Sequence, residues 1–173
     1  MWRAKQQHGF ALTELLLVVA LAGVLSAVAL PMIGTALATE GLKADAQALS
    51  SLVGLAKMRA SAGFTRARVR AHLTDGTFIL ERWDRAAGAW VTEGGLRTSY
   101  RTVDFGFSGL ATPPPNSQAT IGMSPPCRIG IAVGGAEIGN TACIVFNSRG
   151  LPIDGDGAIF GGHGLYLTDR SLV

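Results

Sequence analysis

Aromatic residues are scarce, at 7% of 173 residues, and charged residues reach only 16%. Histidine occurs three times and cysteine twice. His8, His72 and His163 stand in unrelated contexts, and neither Cys127 nor Cys143 sits in a CxxC pair or a metal-ligand pattern. These shortages argue against a zinc ribbon, a dithiol redox motif or a histidine-based catalytic cluster. No glycine-rich loop carries the lysine that a phosphate cradle requires. No catalytic set emerges, no cofactor or metal is implied, and the chain reads as a non-enzyme. The competing reading of an anchored enzyme finds no active site in the sequence. Glycine, by contrast, is plentiful at 23 residues. High glycine with few aromatics favours short strands joined by many turns over a helical bundle.

What the chain does have is one long apolar run. His8-Gly9-Phe10-Ala11-Leu12-Thr13-Glu14 leads into apolar sequence up to Leu30, followed by Pro31. Arg3 and Lys5 precede it. The stretch 10–33 exceeds the roughly 20 apolar residues that cross a bilayer as a helix. Its one charge is Glu14. A carboxylate at the centre of such a span costs about 2.5–3.5 kcal/mol on insertion scales, so it needs a partner in the working structure.

Gly9-Phe10-Ala11-Leu12-Thr13-Glu14-Leu15 resembles the class III signal of type IV pilins and type II secretion pseudopilins: a basic leader, a glycine, a phenylalanine and a glutamate at the fifth mature position. Pro31 also falls where pilin helices carry a proline. The resemblance implies cleavage between Gly9 and Phe10 by prepilin peptidase on the cytoplasmic side of the inner membrane. It further implies N-methylation of the Phe10 amine and packing beside other pilins or pseudopilins in a helical filament. Glu14 of a neighbouring subunit would neutralise the new amine, because two opposite charges in lipid cost less together than apart. The competing reading is a secretory signal peptide cut near Ala27-Val28-Ala29, or a plain anchor. The stretch is long for a signal core, and Glu14 fits such a core poorly.

The expected organisation is a leader (1–9), an N-terminal helix (10–62, of which 10–33 is transmembrane) and a β-rich periplasmic or extracellular domain (64–173). The fold class is α+β: a long pilin-like helix packed on two small antiparallel β-sheets. Leu42, Ala46, Leu49, Val53 and Ala56 recur at helical steps and form one apolar stripe for that packing. A helix of this length would be about 80 Å long. Gly34, Gly41 and Pro31 are the places to expect a bend, with Pro31 the kink position. Gly63 is expected to end the helix.

From Phe64 the period becomes two. Arg66, Arg68, Arg70 and His72 alternate with Ala67, Val69, Ala71 and Leu73, the pattern of a half-buried strand with a basic outer face. Asp75-Gly76 signals a hairpin returning through Thr77–Trp83. A short strand at Ala89–Thr92 and another around Tyr100–Val103 follow. Pro113-Pro114-Pro115 and Pro125-Pro126 mark a surface crossover that separates the two sheets. The second sheet is expected to hold Arg128–Val133, Thr141–Phe146, Ala158–Phe160 and Leu165–Thr168.

After Phe146, the turn Asn147-Ser148-Arg149-Gly150-Leu151-Pro152 resembles the late phenylalanine-to-RG(x)P turn of H-type minor pseudopilins and FimT-like minor pilins. Such proteins continue into a final strand that closes the C-terminal sheet. Here either Leu165–Val173 supplies it or the chain is short. DNA-binding FimT-like proteins carry an arginine-containing motif toward the C-terminus, and this chain has no placed counterpart.

Charge is uneven: residues 57–101 hold nine basic and four acidic groups, residues 102–173 three and five. Arg66, Arg68 and Arg70 would project together about 7 Å apart, a row able to meet phosphates. The plainer reading is a solvated strand face partly paired with Glu81 and Asp84. Nucleic acid is therefore an admissible partner but not the favoured one. Cys127 and Cys143 either form a disulfide or remain two buried thiols. A turn at Gly134-Gly135-Ala136 would place them opposite each other in a hairpin, although Thr141–Phe146 also reads as an independent strand. Asp154-Gly155-Asp156-Gly157 resembles the opening of a calcium loop, but Leu165 stands where the bidentate glutamate belongs, so a polar turn is the simpler reading. The expected role is a structural subunit at or near the tip of a type II secretion pseudopilus or type IV pilus, with a DNA-binding minor pilin as the alternative.

Overall fold

The structure is a computed structural model describing residues 12–99, 103–106, 122–130 and 135–170. It comprises two units, Met1–Leu37 and Ala38–Val173. The first unit is the N-terminal part of α1 (Leu12–Ala62). The helical assignment is continuous through Pro31, Gly34 and Gly41, so none of them interrupts it. Among the described residues, the leucines and valines of the first unit, from Leu12 to Val28 and at Leu37, are exposed.

The second unit is an α+β domain. Its sheet has five strands in the order β3-β2-β1-β6-β7: β1 (Ala67–His72), β2 (Thr77–Asp84), β3 (Ala89–Thr98), β6 (Thr141–Phe146) and β7 (Pro152–Ile153). All pairs in it are antiparallel. Two small ladders complete the domain. β4 (Val103–Phe105) pairs antiparallel with β9 (Leu167–Asp169), and β5 (Gly122–Met123) pairs parallel with β8 (His163–Gly164).

The expected division of strands between two sheets is corrected here. Thr141–Phe146 does not seed a second sheet but lies beside β1, in register from Ala67↔Phe146 to His72↔Thr141. β1 thereby becomes an interior strand with neighbours on both edges. Of the segment expected to form a strand at Arg128–Val133, the described part carries one isolated bridge, Arg128↔Glu137. The third strand is longer than expected, and a bulge sets its residues Gly94, Gly95 and Leu96 against the single Ile79. Pro113–Pro115 and Tyr100–Thr102 lie outside the described residues.

The core forms where the apolar stripe of α1 meets one face of the sheet. Leu49, Leu52, Ala56 and Ala60 pack on Ala67, Val69, Ala71, Phe78, Leu80 and Phe146. Small alanines on both surfaces allow close approach, and each buried leucine or phenylalanine contributes about 1.5–3 kcal/mol. The helix ends in a Schellman arrangement: the Thr65 amide donates to the Ala60 carbonyl and the Phe64 amide to Ser61. Gly63 follows the last helical residue, as expected. The left-handed position of the motif, however, belongs to Phe64, with φ 47°.

The turn after β6 shows why glycine occupies position 150. Asn147 accepts the amides of Arg149 and Leu151 on its Oδ1, and Gly150 takes φ 72°. A Cβ at Gly150 would lie 3.3 Å from the Lys57 carbonyl oxygen and 3.3 Å from Lys57 Cγ. The turn is thus pressed against α1. Gly150→Ala is expected to destabilise the domain by about 2 kcal/mol, combining left-handed strain with overpacking, a loss that urea denaturation would register.

Candidate functional site: an apolar helix with one carboxylate, and a buried arginine network

Glu14 lies in the first turn of α1 as described, exposed among Leu12, Leu15, Leu16 and Leu17. An 18-residue window of this helix has a mean hydropathy of 2.6, and none of it is buried. By length and composition α1 is sufficient to cross a membrane. Among the described residues no cation pairs with Glu14. Gly9 and Phe10 lie outside the described residues, and Pro31 lies inside the helix.

The arginines of β1 do not form the solvent-facing row expected of them. Ala67, Val69 and Ala71 face the helix, and the opposite face of the strand is also covered. Arg68 has a side chain only 3% exposed. Its Nε donates to Glu81 Oε2 at 2.6 Å and its NH1 to the Arg128 carbonyl at 2.6 Å. The guanidinium carbon sits 4.1 Å from the centroid of the Trp90 ring. Arg70 reaches the other oxygen of Glu81 at 3.0 Å. Arg68 and Glu81 are direct cross-strand partners, so the hairpin register alone brings them together.

Burial pulls the Arg68 guanidinium below its ordinary pKa, against the opposing attraction of Glu81. Arginine nevertheless remains charged at any physiological pH, so this is a buried ion pair. Asp84, expected to share in pairing the row, caps its own turn instead. The Ala87 and Ala86 amides donate to it and hold its carboxyl below the usual range. Arg66 lines a small cavity of about 40 Å³ with Arg68, Trp90, Arg128 and Asp154.

What covers this face is the segment after Ser124. Trp90 Nε1 donates to the Gly130 carbonyl at 3.4 Å, and the Arg128 side chain donates to the Gly155 carbonyl at 3.3 Å. Cys127 and Cys143 form a disulfide, both buried, joining this covering segment to β6. Their geometry differs from the hairpin expected around Gly135. Arg128 pairs with Glu137 and the Ile138 amide bonds the Cys127 carbonyl, so Cys127 opposes Ile138. Cys143 stands on β6 opposite Arg70. The bridge therefore clasps a cover onto the sheet.

Asp154–Gly157 is a turn closed by its own carboxylate. Asp154 Oδ1 accepts the amides of Asp156 and Ala158, each at 2.9 Å. Among the described residues no three His, Cys, Asp or Glu side chains gather as metal ligands would. His163 packs its ring on Phe160, and burial holds its pKa below the ordinary value, partly offset by Asp154. Sequence reasoning did not find Trp90 and Arg128 as partners of Arg68, because Trp90 reaches it across the sheet from β3 and Arg128 from the covering segment, and no local spacing shows either.

Residues 4–30 match the family model of the prokaryotic N-terminal methylation motif. No curated protein and no solved structure is significantly similar to the chain. The motif covers the Gly9-Phe10 junction, Glu14 and most of the unburied apolar part of α1. The chain therefore carries a type IV prepilin-like N-terminus: a methylation motif continuous with a long apolar helix, ahead of an α+β domain.

Proposed function

We propose that the protein is a minor pilin or minor pseudopilin of the H/FimT-like type. It is inserted in the inner membrane by a single pass, with its domain in the periplasm. Prepilin peptidase cuts between Gly9 and Phe10, and the new Phe10 amine is methylated. The subunit then joins other pilins or pseudopilins at or near the tip of a type II secretion pseudopilus or type IV pilus. The observation carrying this reading is the match over residues 4–30, which leads into the exposed apolar N-terminal stretch of α1. Such a surface is stable in lipid or beside like helices, and a lone carboxylate within it favours the second arrangement. The disulfide suits an oxidising compartment, and the Gly150 turn matches the late pattern of that subgroup.

Glu14→Lys tests the assembly role. The variant is expected to be processed at Phe10 yet be depleted at least tenfold from sheared filaments relative to the membrane fraction. Incorporation at the wild-type level would rule out Glu14 as the assembly residue. The nucleic-acid alternative draws no support from the β1 arginines, since Arg68 and Arg70 are both engaged by Glu81.

A further inference from the structure

The basic excess of residues 57–101 remains unexplained once the β1 arginines are paired. Much of it gathers at the C-terminal end of α1. Lys57 and Ser61 lie against the Gly150 turn, which carries Arg149. Arg85 donates to the Phe64 carbonyl, and Arg82 reaches Gly63. Arg59 and Arg82 share Glu93, at 2.9 and 3.8 Å. Among the described residues no carboxylate pairs with Lys57, Arg85 or Arg149. An open cavity of about 210 Å³ lies here between Thr65, Arg66, Arg85, Asn147 and Ser148.

Phe64, whose carbonyl accepts the Arg85 bond, follows the end of α1. It is 73% exposed and its backbone is left-handed, at the helix-end position where glycine is usual. A bulky residue at positive φ is an outlier, and outliers of this kind concentrate at functional sites. The fold gains little buried surface from this residue, and its backbone conformation would suit glycine better.

We propose that this end of α1 is a docking surface for an acidic segment of a partner protein, with Phe64 as the apolar anchor and Lys57, Arg85 and Arg149 as the charged rim. An exposed aromatic at a cation-rich helix end suits a protein partner, and the surplus cations call for carboxylates on it. A single-stranded nucleic acid would need successive stacking platforms along a groove, and the surface offers one ring. The proposal does not depend on the filament reading.

The test places a benzophenone photocross-linker at position 64 of the full-length chain in its own cells, with position 96, another exposed apolar site, as the control. The expected result is an adduct with one protein through a peptide rich in Asp and Glu. That adduct falls at least tenfold in the Lys57→Glu/Arg149→Glu variant and persists in Lys57→Arg/Arg149→Lys. An adduct indifferent to charge reversal, an adduct with nucleic acid, or no adduct above the control would overturn the proposal. Phe64→Gly separates docking from folding. It should melt at the same temperature as the parent or higher, and lower melting would make the ring a packing element and end the docking reading.

Discussion

Glu81→Ala is expected to destabilise the domain by about 3–5 kcal/mol, the usual penalty for stranding one member of a buried ion pair. Arg68 would lose its partner while remaining 3% exposed, held between Trp90, the Arg128 carbonyl and the sheet. Only a cavity of about 40 Å³ borders the guanidinium, too small to hydrate it fully, and arginine cannot discharge itself at neutral pH. Arg70 would lose the same carboxylate but is a third exposed and can turn to solvent, so it adds little. Urea denaturation of the oxidised protein measures the loss. A companion variant, Arg68→Met/Glu81→Leu, is expected to recover most of the stability, because a hydrophobic pair of similar volume often replaces a buried ion pair without loss. A Glu81→Ala effect below about 1 kcal/mol would mean that the covering segment does not seal the pair.

Removing the disulfide by Cys127→Ala/Cys143→Ala is expected to cost about 3 kcal/mol, the amount associated with a loop of this size; the bridge spans a sequence separation of 16. The loss has a local consequence as well. The bridge fastens the segment that supplies the Arg128 and Gly130 carbonyls to Arg68 and Trp90. Amide hydrogen exchange should therefore rise first in 124–130 and 135–138 and at the outer face of β1, while the α1-facing core stays protected. Uniform acceleration across the domain would count against a clasp, and an unchanged urea midpoint would remove its role altogether.

The α+β class, the helix and its end, the first hairpin and the positions of both small turns were legible because each is written locally. Apolar spacing marks the packed stripe, Asp75-Gly76 and Gly150 mark backbone that needs a positive φ, and the period-two stretch marks β1. What was not legible is long-range. Nothing local shows that β6 runs beside β1, and with that neighbour unknown β1 reads as half-buried. The alternating arginines then read as a solvent face, whereas the cover after Ser124 turns them into an interior network. The cysteines were similarly visible as a pair, but their register depended on a strand and a bridge that no spacing specifies. The left-handed Phe64 had no signal at all, since glycine was available one residue earlier and is what a helix end predicts.

The central claim concerns the N-terminus, and the direct measurement is the start and mass of the mature chain, by N-terminal sequencing and mass spectrometry of protein made in cells that contain prepilin peptidase. The account predicts a chain beginning at N-methylated Phe10. A chain beginning after Ala29, or one still carrying its first nine residues, would contradict it.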